Sequence, residues 1–410
     1  MRMRNGLLNL AAATGFTLVL AISGANAEKK YDPGSSDTEI KIGQTMPFSG
    51  PASAYASIGK TEAAYFRMIN EQGGINGRKI NLIQYDDAYS PPKAVEQVRK
   101  LVESDEVLLT FQLLGTPSNA AVQKYLNSKK VPQLFAAASA LRFTDPKTFP
   151  WTLGFDPNNF VEGRIYGQYI LKEHGGAKIG VLYQNDDFGK DYLNGIKAGL
   201  GDKAATMIVA EAAYEVTDPT VDSQVLRIKD AGADLFFIAA TPKQAAQSIK
   251  KTAEIGWHPV QIVSLKSTSI GSVLKPAGLE NTKGLISANY AKEALDPQWK
   301  DDPGVKRYLA FMEKYYPDGD KGSNFNAYAY GVAQLLTHVL QQCGDDLTRE
   351  NVMKQATSLK DFVGDLALPG ITISTSPTDY HLFKRLQMMR FNGEHWELFG
   401  SILEVAGPAG

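Results

Sequence analysis

The sequence is short of the residues that usually carry chemistry. It holds one cysteine, Cys343, so an intramolecular disulfide is excluded even in an oxidising compartment. Set in an Ala-, Leu- and Val-rich helical stretch, that thiol reads as a core residue. The five histidines, His174, His258, His338, His381 and His395, stand apart, without the spacing of metal ligands. No G-x-S-x-G elbow, Walker loop, G-x-G-x-x-G or H-E-x-x-H occurs, so neither a catalytic motif nor a cofactor is expected. The adjacent carboxylates Asp86-Asp87 and Asp186-Asp187 read as turn and cap residues rather than acid/base pairs. Charge of one sign is also lacking: 43 basic residues face 44 acidic ones, for a net charge of −1. That balance excludes a basic footprint for nucleic acid or an acidic membrane surface.

What is present starts at the amino terminus. Met1-Arg2-Met3-Arg4, the apolar run Leu7 to Ile22, and Ala25-Asn26-Ala27 together predict a secretory signal peptide cleaved after Ala27. The run falls short of the roughly 20 apolar residues that span a bilayer. No cysteine lies near the cleavage site for acylation, so a soluble, unanchored periplasmic product is expected. Residues 28–38 read as a flexible leader. The remaining length exceeds a usual single core, which makes two lobes the natural expectation.

The organising stretch is Val107 to Ala121, an apolar run that meets Gly115-Thr116-Pro117-Ser118-Asn119 and then an Ala-rich helical segment. Small polar residues that open a helix can bind an anion, because the first backbone N–H groups lack internal partners. Thr116 and Ser118 would add hydroxyl donors; the alternative is that Ser118 or Asn119 only caps a helix beginning near 119.

Around this stretch, strands at 39–46, 78–85 and 131–135 alternate with helices at 55–70, 91–103 and 119–127, the pattern of a parallel sheet covered on both faces. Ligands of such sheets sit beyond the carboxyl ends of the strands, where the turns at Ser49, Asp86, Thr116 and Ser139 fall. The pattern restarts after Phe155. Helix 160–172, strand 178–183, helix 190–199, strand 204–210, helix 221–230, the apolar strand 234–240, helix 243–255 and strand 261–265 predict a second doubly wound lobe. Beyond Gly284 the chain is expected to return to lobe 1 with helices at 303–316 and 324–342. Asn392-Gly393 between apolar segments marks a hairpin. The expected division is 39–156 plus 285–365 for lobe 1, and 157–284 plus 366–410 for lobe 2.

Four segments carry a resemblance: "IKIGQTMPFSGP" at 40–51, "GGINGRKINLIQYDDAYSPPKAVEQVRKLV" at 73–102, "VPQLFAAASA" at 131–140 and "YQNDDFGKDYLNGIKAGL" at 183–200. In this order they resemble the branched-chain amino-acid (Leu/Ile/Val) binding proteins of ABC importers. The resemblance implies a type I periplasmic binding fold: two α/β lobes joined by three hinge segments, acting as a monomer that closes on a small solute and docks on an inner-membrane permease. By the same resemblance, the first-loop aromatic is Tyr55, the carboxylate loop is Gly115, Thr116 and Ser118, and further ligand contacts are Ala137 and Ser139. The second-lobe tyrosine is Phe188.

Two positions depart from the family pattern. Thr241 stands where another tyrosine is expected, and Lys266-Ser267-Thr268 stands where an acid pairs with the ligand ammonium. A buried ammonium without a counter-charge is costly, so a receptor for amine-free aromatic or aliphatic acids, or for amides, is the alternative reading. An exported hydrolase using Ser139 is a second alternative, though no histidine neighbours that serine in sequence.

Overall fold

The computed structural model describes residues 29–404, and the expected signal peptide lies outside them. The first residues described are not free. β1 (Lys30–Tyr31) pairs in parallel with Asp346–Leu347, and buried Arg78 bonds Tyr31 Oη at 2.7 Å and Asp345 at 2.6 Å. This corrects the expected flexible leader over its described part: turn-rich composition cannot reveal a backbone partner more than 300 residues away.

The chain next builds β2 (Glu39–Met46), α1 (Ala56–Glu71), β3 (Lys79–Asp86), α2 (Pro91–Glu103), β4 (Leu109–Phe111), α3 (Thr116–Ser128), β5 (Gln133–Ala136) and β6 (Thr152–Gly154). The five strands β2 to β6 form one parallel sheet in the order β3-β2-β4-β5-β6. Val98 of α2 and Val122 and Leu126 of α3 pack together on one face, while Phe66 of α1 meets Phe111 on the other. Burial on both faces leaves every residue of β4, β5 and β6 buried, whereas β2 begins with the alternation of its sequence and the edge strand β3 stays partly exposed.

The chain then crosses to the second lobe through α4 (Asn159–Glu173), β7 (Ile179–Gln184), α5 (Asp187–Leu200), a single turn α6 (Ala204–Met207) and β8 (Ile208–Tyr214). It continues with α7 (Asp222–Asp230), β9 (Leu235–Ala239), α8 (Pro242–Glu254), β10 (Val260–Val263), the short turn α9 (Lys275–Ala277) and β11 (Ile286–Asn289). The strand expected at 204–210 begins only at Ile208, because Ala204-Ala205 favour the helical turn and the β-branched residues start later. In β9, Leu235 and Phe237 face α4 and α5, whereas Phe236 and Ile238 face α7 and α8.

The α4–α5 contact is made by glycine. A Cβ on Gly163, Gly167, Gly195 or Gly199 would lie 2.6, 2.5, 2.3 or 2.4 Å from a backbone oxygen of the facing helix. Backbone thus meets backbone at these four positions.

The return to lobe 1 comes one strand later than expected. β11 pairs with β10 in lobe 2, so residues 286–289 belong to that sheet and the crossing follows Asn289 rather than starting at 285. Then come α10 (Pro303–Tyr315), α11 (Asn324–Cys343), β12 (Asp346–Leu347) and α12 (Arg349–Ala356), with α10 and α11 packing on α1. Last, β13 (Arg385–Phe391) and β14 (Trp396–Glu404) make the hairpin predicted around Asn392-Gly393. This hairpin adds antiparallel to β11, giving the order β14-β13-β11-β10-β9-β7-β8. Three segments cross between the lobes: 155–158, 290–302 and 357–384. The last two are tied by Leu368 N–H to Tyr290 O at 3.0 Å and Lys292 N–H to Leu366 O at 2.7 Å.

Candidate ligand cleft

The strand-end turns of both lobes meet at one cavity, with about 950 Å3 of free space counted out to its mouth. Eight of the nine residues singled out from the sequence line it: Tyr55, Gly115, Thr116, Ala137, Ser139, Phe188, Thr241 and Lys266. Ser118 is the exception. Two residues beyond Thr116 on an ideal helix lies roughly 200° around the axis, and Ser118 Oγ is buried there without a hydrogen-bond partner.

The anion loop differs in detail from the expectation. α3 begins at Thr116 with Gly115 as its N-cap residue at φ 99°, so neither Ser118 nor Asn119 caps it. The Asn119 amide instead reaches back to the carbonyls of Leu113 and Gly115, at 2.7 and 2.9 Å. Gly115 is required twice over, by its positive φ and because a Cβ would stand 2.5 Å from the Tyr89 ring. Its N–H is spent on Ala137 O at 3.1 Å, and Pro117 has none. Thr116, the first residue of α3, lines the cavity beside Ser139 of the next turn, and its N–H is one that a helix leaves without an internal partner.

The opposite wall comes from lobe 2. Asp186 caps α5 by accepting from the N–H groups of Phe188 and Gly189, which sets the Phe188 ring at the cavity. Thr241 donates its hydroxyl to Gln244 at 2.8 Å and accepts from Tyr214 Oη at 3.2 Å, leaving mainly its methyl for a ligand. Lys266 carries the decisive charge. Its Nζ lies 3.1 Å from Asp156 Oδ1, with side chains 14% and 8% exposed. Asp156 Oδ1 is the carboxylate oxygen this pair supplies to the ammonium, which carries three N–H donors, so donor capacity is left over on this buried nitrogen.

Sequence reasoning missed Asp156, Tyr89, Tyr290, Glu293, Phe325 and Tyr328, all of which line the same space. Asp156 was within reach of the strand-end rule, since it stands two residues past β6. The Asp156 carboxylate also accepts from Ser139 Oγ and Tyr328 Oη, both at 3.4 Å. Glu293 keeps some surface toward the cavity while shielded from bulk water, and burial together with nearby Asp296 pushes its carboxyl up to about 7. Burial likewise raises the phenols of Tyr55, Tyr290 and Tyr328 well above their ordinary value, so these rings present neutral hydroxyls.

The lobes touch across the cleft. Asn324 Nδ2 donates to Thr268 Oγ1 at 2.9 Å and Leu141 N–H to Asp191 at 2.7 Å, while Tyr55 Oη reaches Lys266 O at 3.4 Å and Arg142 pairs with Asp187 at 3.2 Å. The cleft is therefore in a closed arrangement, lined by residues of both lobes.

The periplasmic binding protein family matches residues 39–395. The chain belongs to the periplasmic binding protein family. Among curated relatives of this binding protein, Leu/Ile/Val-binding protein homolog 1 of Brucella suis is 23% identical over 345 residues, covering 82% of this chain and 87% of the relative. Two solved structures share the fold. A branched-chain amino acid ABC transporter protein from Thermus thermophilus with bound valine has a TM-score of 0.79 at 16% identity, covering 91% of this chain and 98% of its own. A fatty acid ABC transporter substrate-binding protein from Thermomonospora curvata has a TM-score of 0.76 at 22% identity, covering 92% and 95%. Among the described residues of the binding protein, no helix is long and apolar enough to cross a membrane.

Proposed function

We propose that this binding protein is the exported solute receptor of an ABC importer, capturing a small carboxylate-bearing solute between its lobes and delivering it to an inner-membrane permease as a monomer. One observation carries the reading: Thr116, at the start of α3 on one wall, and the Lys266 ammonium on the other line a single cavity between the lobes. Donors that cost no rearrangement when an anion arrives are the physical requirement for holding a carboxylate. Ligand bridging the two walls favours closure only by the difference in its contacts with the closed and open forms. No turnover is part of the reading.

The relatives named for leucine, isoleucine and valine support an amino acid as cargo. A second reading, an amine-free carboxylate, is favoured by the Asp156–Lys266 pair. In this pair the protein's own ammonium occupies the cavity acid that a ligand ammonium would use. A thermal-shift screen on the mature protein, stripped of ligand by unfolding and refolding, separates the two. Stabilisation by Leu, Ile or Val would support the amino-acid reading, and stabilisation only by amine-free acids the second. A hundredfold ligand excess over Kd should add about 2.7 kcal/mol. No shift with any carboxylate would reject both.

A further inference from the structure

We propose that the apolar end of the ligand passes between Tyr290 and Tyr328 into a second chamber behind the cleft. The protein would then take carboxylic acids whose aryl or alkyl tail is longer than a leucine side chain. The inference rests on the carboxylate reading above. The chamber is narrow, with about 450 Å3 of non-atom space counted out to where it opens, and shares four wall residues with the cleft: Tyr290, Ala291, Ala327 and Tyr328. Its other walls are apolar, with Phe155, Leu366, Ile371, Ile373 and Phe383 nearly fully buried.

The helix geometry makes the two spaces one path. Asn324, Ala327 and Tyr328 of α11 line the cleft, and Ala327, Tyr328 and Gly331 line the chamber. Positions i, i+3, i+4 and i+7 form one stripe, so the same helix face runs beneath both spaces for about 10 Å at 1.5 Å per residue. The partition is made of rings: Tyr290 lies 4.0 Å from Phe383, and Tyr328 stands edge-on to Phe155 at 5.3 Å.

Gly331 is the second observation. It lies inside α11, and a Cβ built on it meets no atom within 4 Å. Glycine in a helix interior is less stable than alanine, and an apolar void costs stability in proportion to its volume. Both costs fall on the same place, and a ligand tail occupying the chamber would offset the second. The chamber also touches all three crossing segments, at Phe155, Tyr290 and Leu366, so a tail seated there would contact every hinge strand.

The test is titration calorimetry of the refolded mature protein with butyrate, octanoate, 3-phenylpropanoate and L-leucine, repeated for Gly331→Leu and Gly331→Ala. Octanoate or 3-phenylpropanoate should bind at least tenfold more tightly than butyrate. Gly331→Leu should erase that advantage while changing butyrate binding less than twofold, and Gly331→Ala should fall between. Tail length without effect in the unaltered protein would overturn the inference and leave the carboxylate reading standing if butyrate or leucine binds. Equal losses for short and long acids in both variants would also overturn it. Failure of every carboxylate to bind would overturn the carboxylate reading and the inference with it.

Discussion

The two walls of the cleft differ in charge. The lobe 1 wall is neutral, made of backbone N–H groups and hydroxyls at Thr116 and Ser139 fixed by turns between strands and helices. The wall made by lobe 2 and the hinge is charged, with Lys266, Asp156 and Glu293 in or at the cavity and Lys292 turned away to Asp302 at 2.7 Å. A neutral dipole site accepts any carboxylate, whereas placed charges decide what else the ligand carries. On the proposed function, the contrast assigns capture to lobe 1 and discrimination to lobe 2 and the hinge.

The sharpest way to break this division is Lys266→Met. Removing one member of a buried charge pair should weaken an amine-free acid by about 2–5 kcal/mol. It should also free Asp156, so that α-amino acids lose less or gain. Calorimetry with leucine and its deaminated analogue measures both, and parallel losses would deny Asp156 the role of amine partner.

Thr116→Val on the neutral wall should cost every carboxylate about 1–3 kcal/mol regardless of amine content. Ser118→Ala should leave affinity unchanged, since that hydroxyl is outside the cavity. A loss with Ser118→Ala equal to that with Thr116→Val would mean that the α3 turn rearranges on binding.

Acidity probes the charged wall through Glu293. Glu293 titrates near 7, and an anion beside it favours the protonated form, so binding takes up a proton. Carboxylate affinity should therefore fall several-fold as pH rises from 6 to 8, and Glu293→Gln should flatten the profile. A profile unchanged in that variant would assign the dependence elsewhere.

The smallest effect is expected at the rim. The Arg142–Asp187 pair joins the lobes but is partly exposed, with side chains 31% and 52% accessible. Arg142→Ala should cost only about 0.2–1 kcal/mol of closed-state affinity, and the loss should disappear in high salt. A larger, salt-independent loss would move part of the binding strength from the walls to the rim.

The sequence legibly carried the local features of both lobes. Leu235 to Ala239 is a strand buried on both faces because every residue there is apolar, and Asp186 caps α5 because a short acidic side chain before a helix reaches its free N–H groups. Gly115-Thr116 could be placed at the ligand edge because parallel α/β sheets expose the carboxyl ends of their strands. These are properties of contiguous residues, and contiguous residues suffice to read them.

What only the tertiary structure decided involves partners distant along the chain. Asp156 and Lys266 are 110 positions apart, β1 pairs with β12 although the elements of both lobes lie between them in the chain, and β11 stays in lobe 2 because its neighbour there is β10. The glycines of α4 and α5 acquire meaning only when the two backbones meet, and Gly331 only when its empty side opens onto a chamber walled by residues from 155 to 383. The sequence by itself determined two doubly wound lobes and the neutral anion turn, since hydrophobic period and turn chemistry are local. The Asp156–Lys266 pair and the space behind the cleft were decided by folding, because Coulombic pairing and cavity shape depend on distances in space.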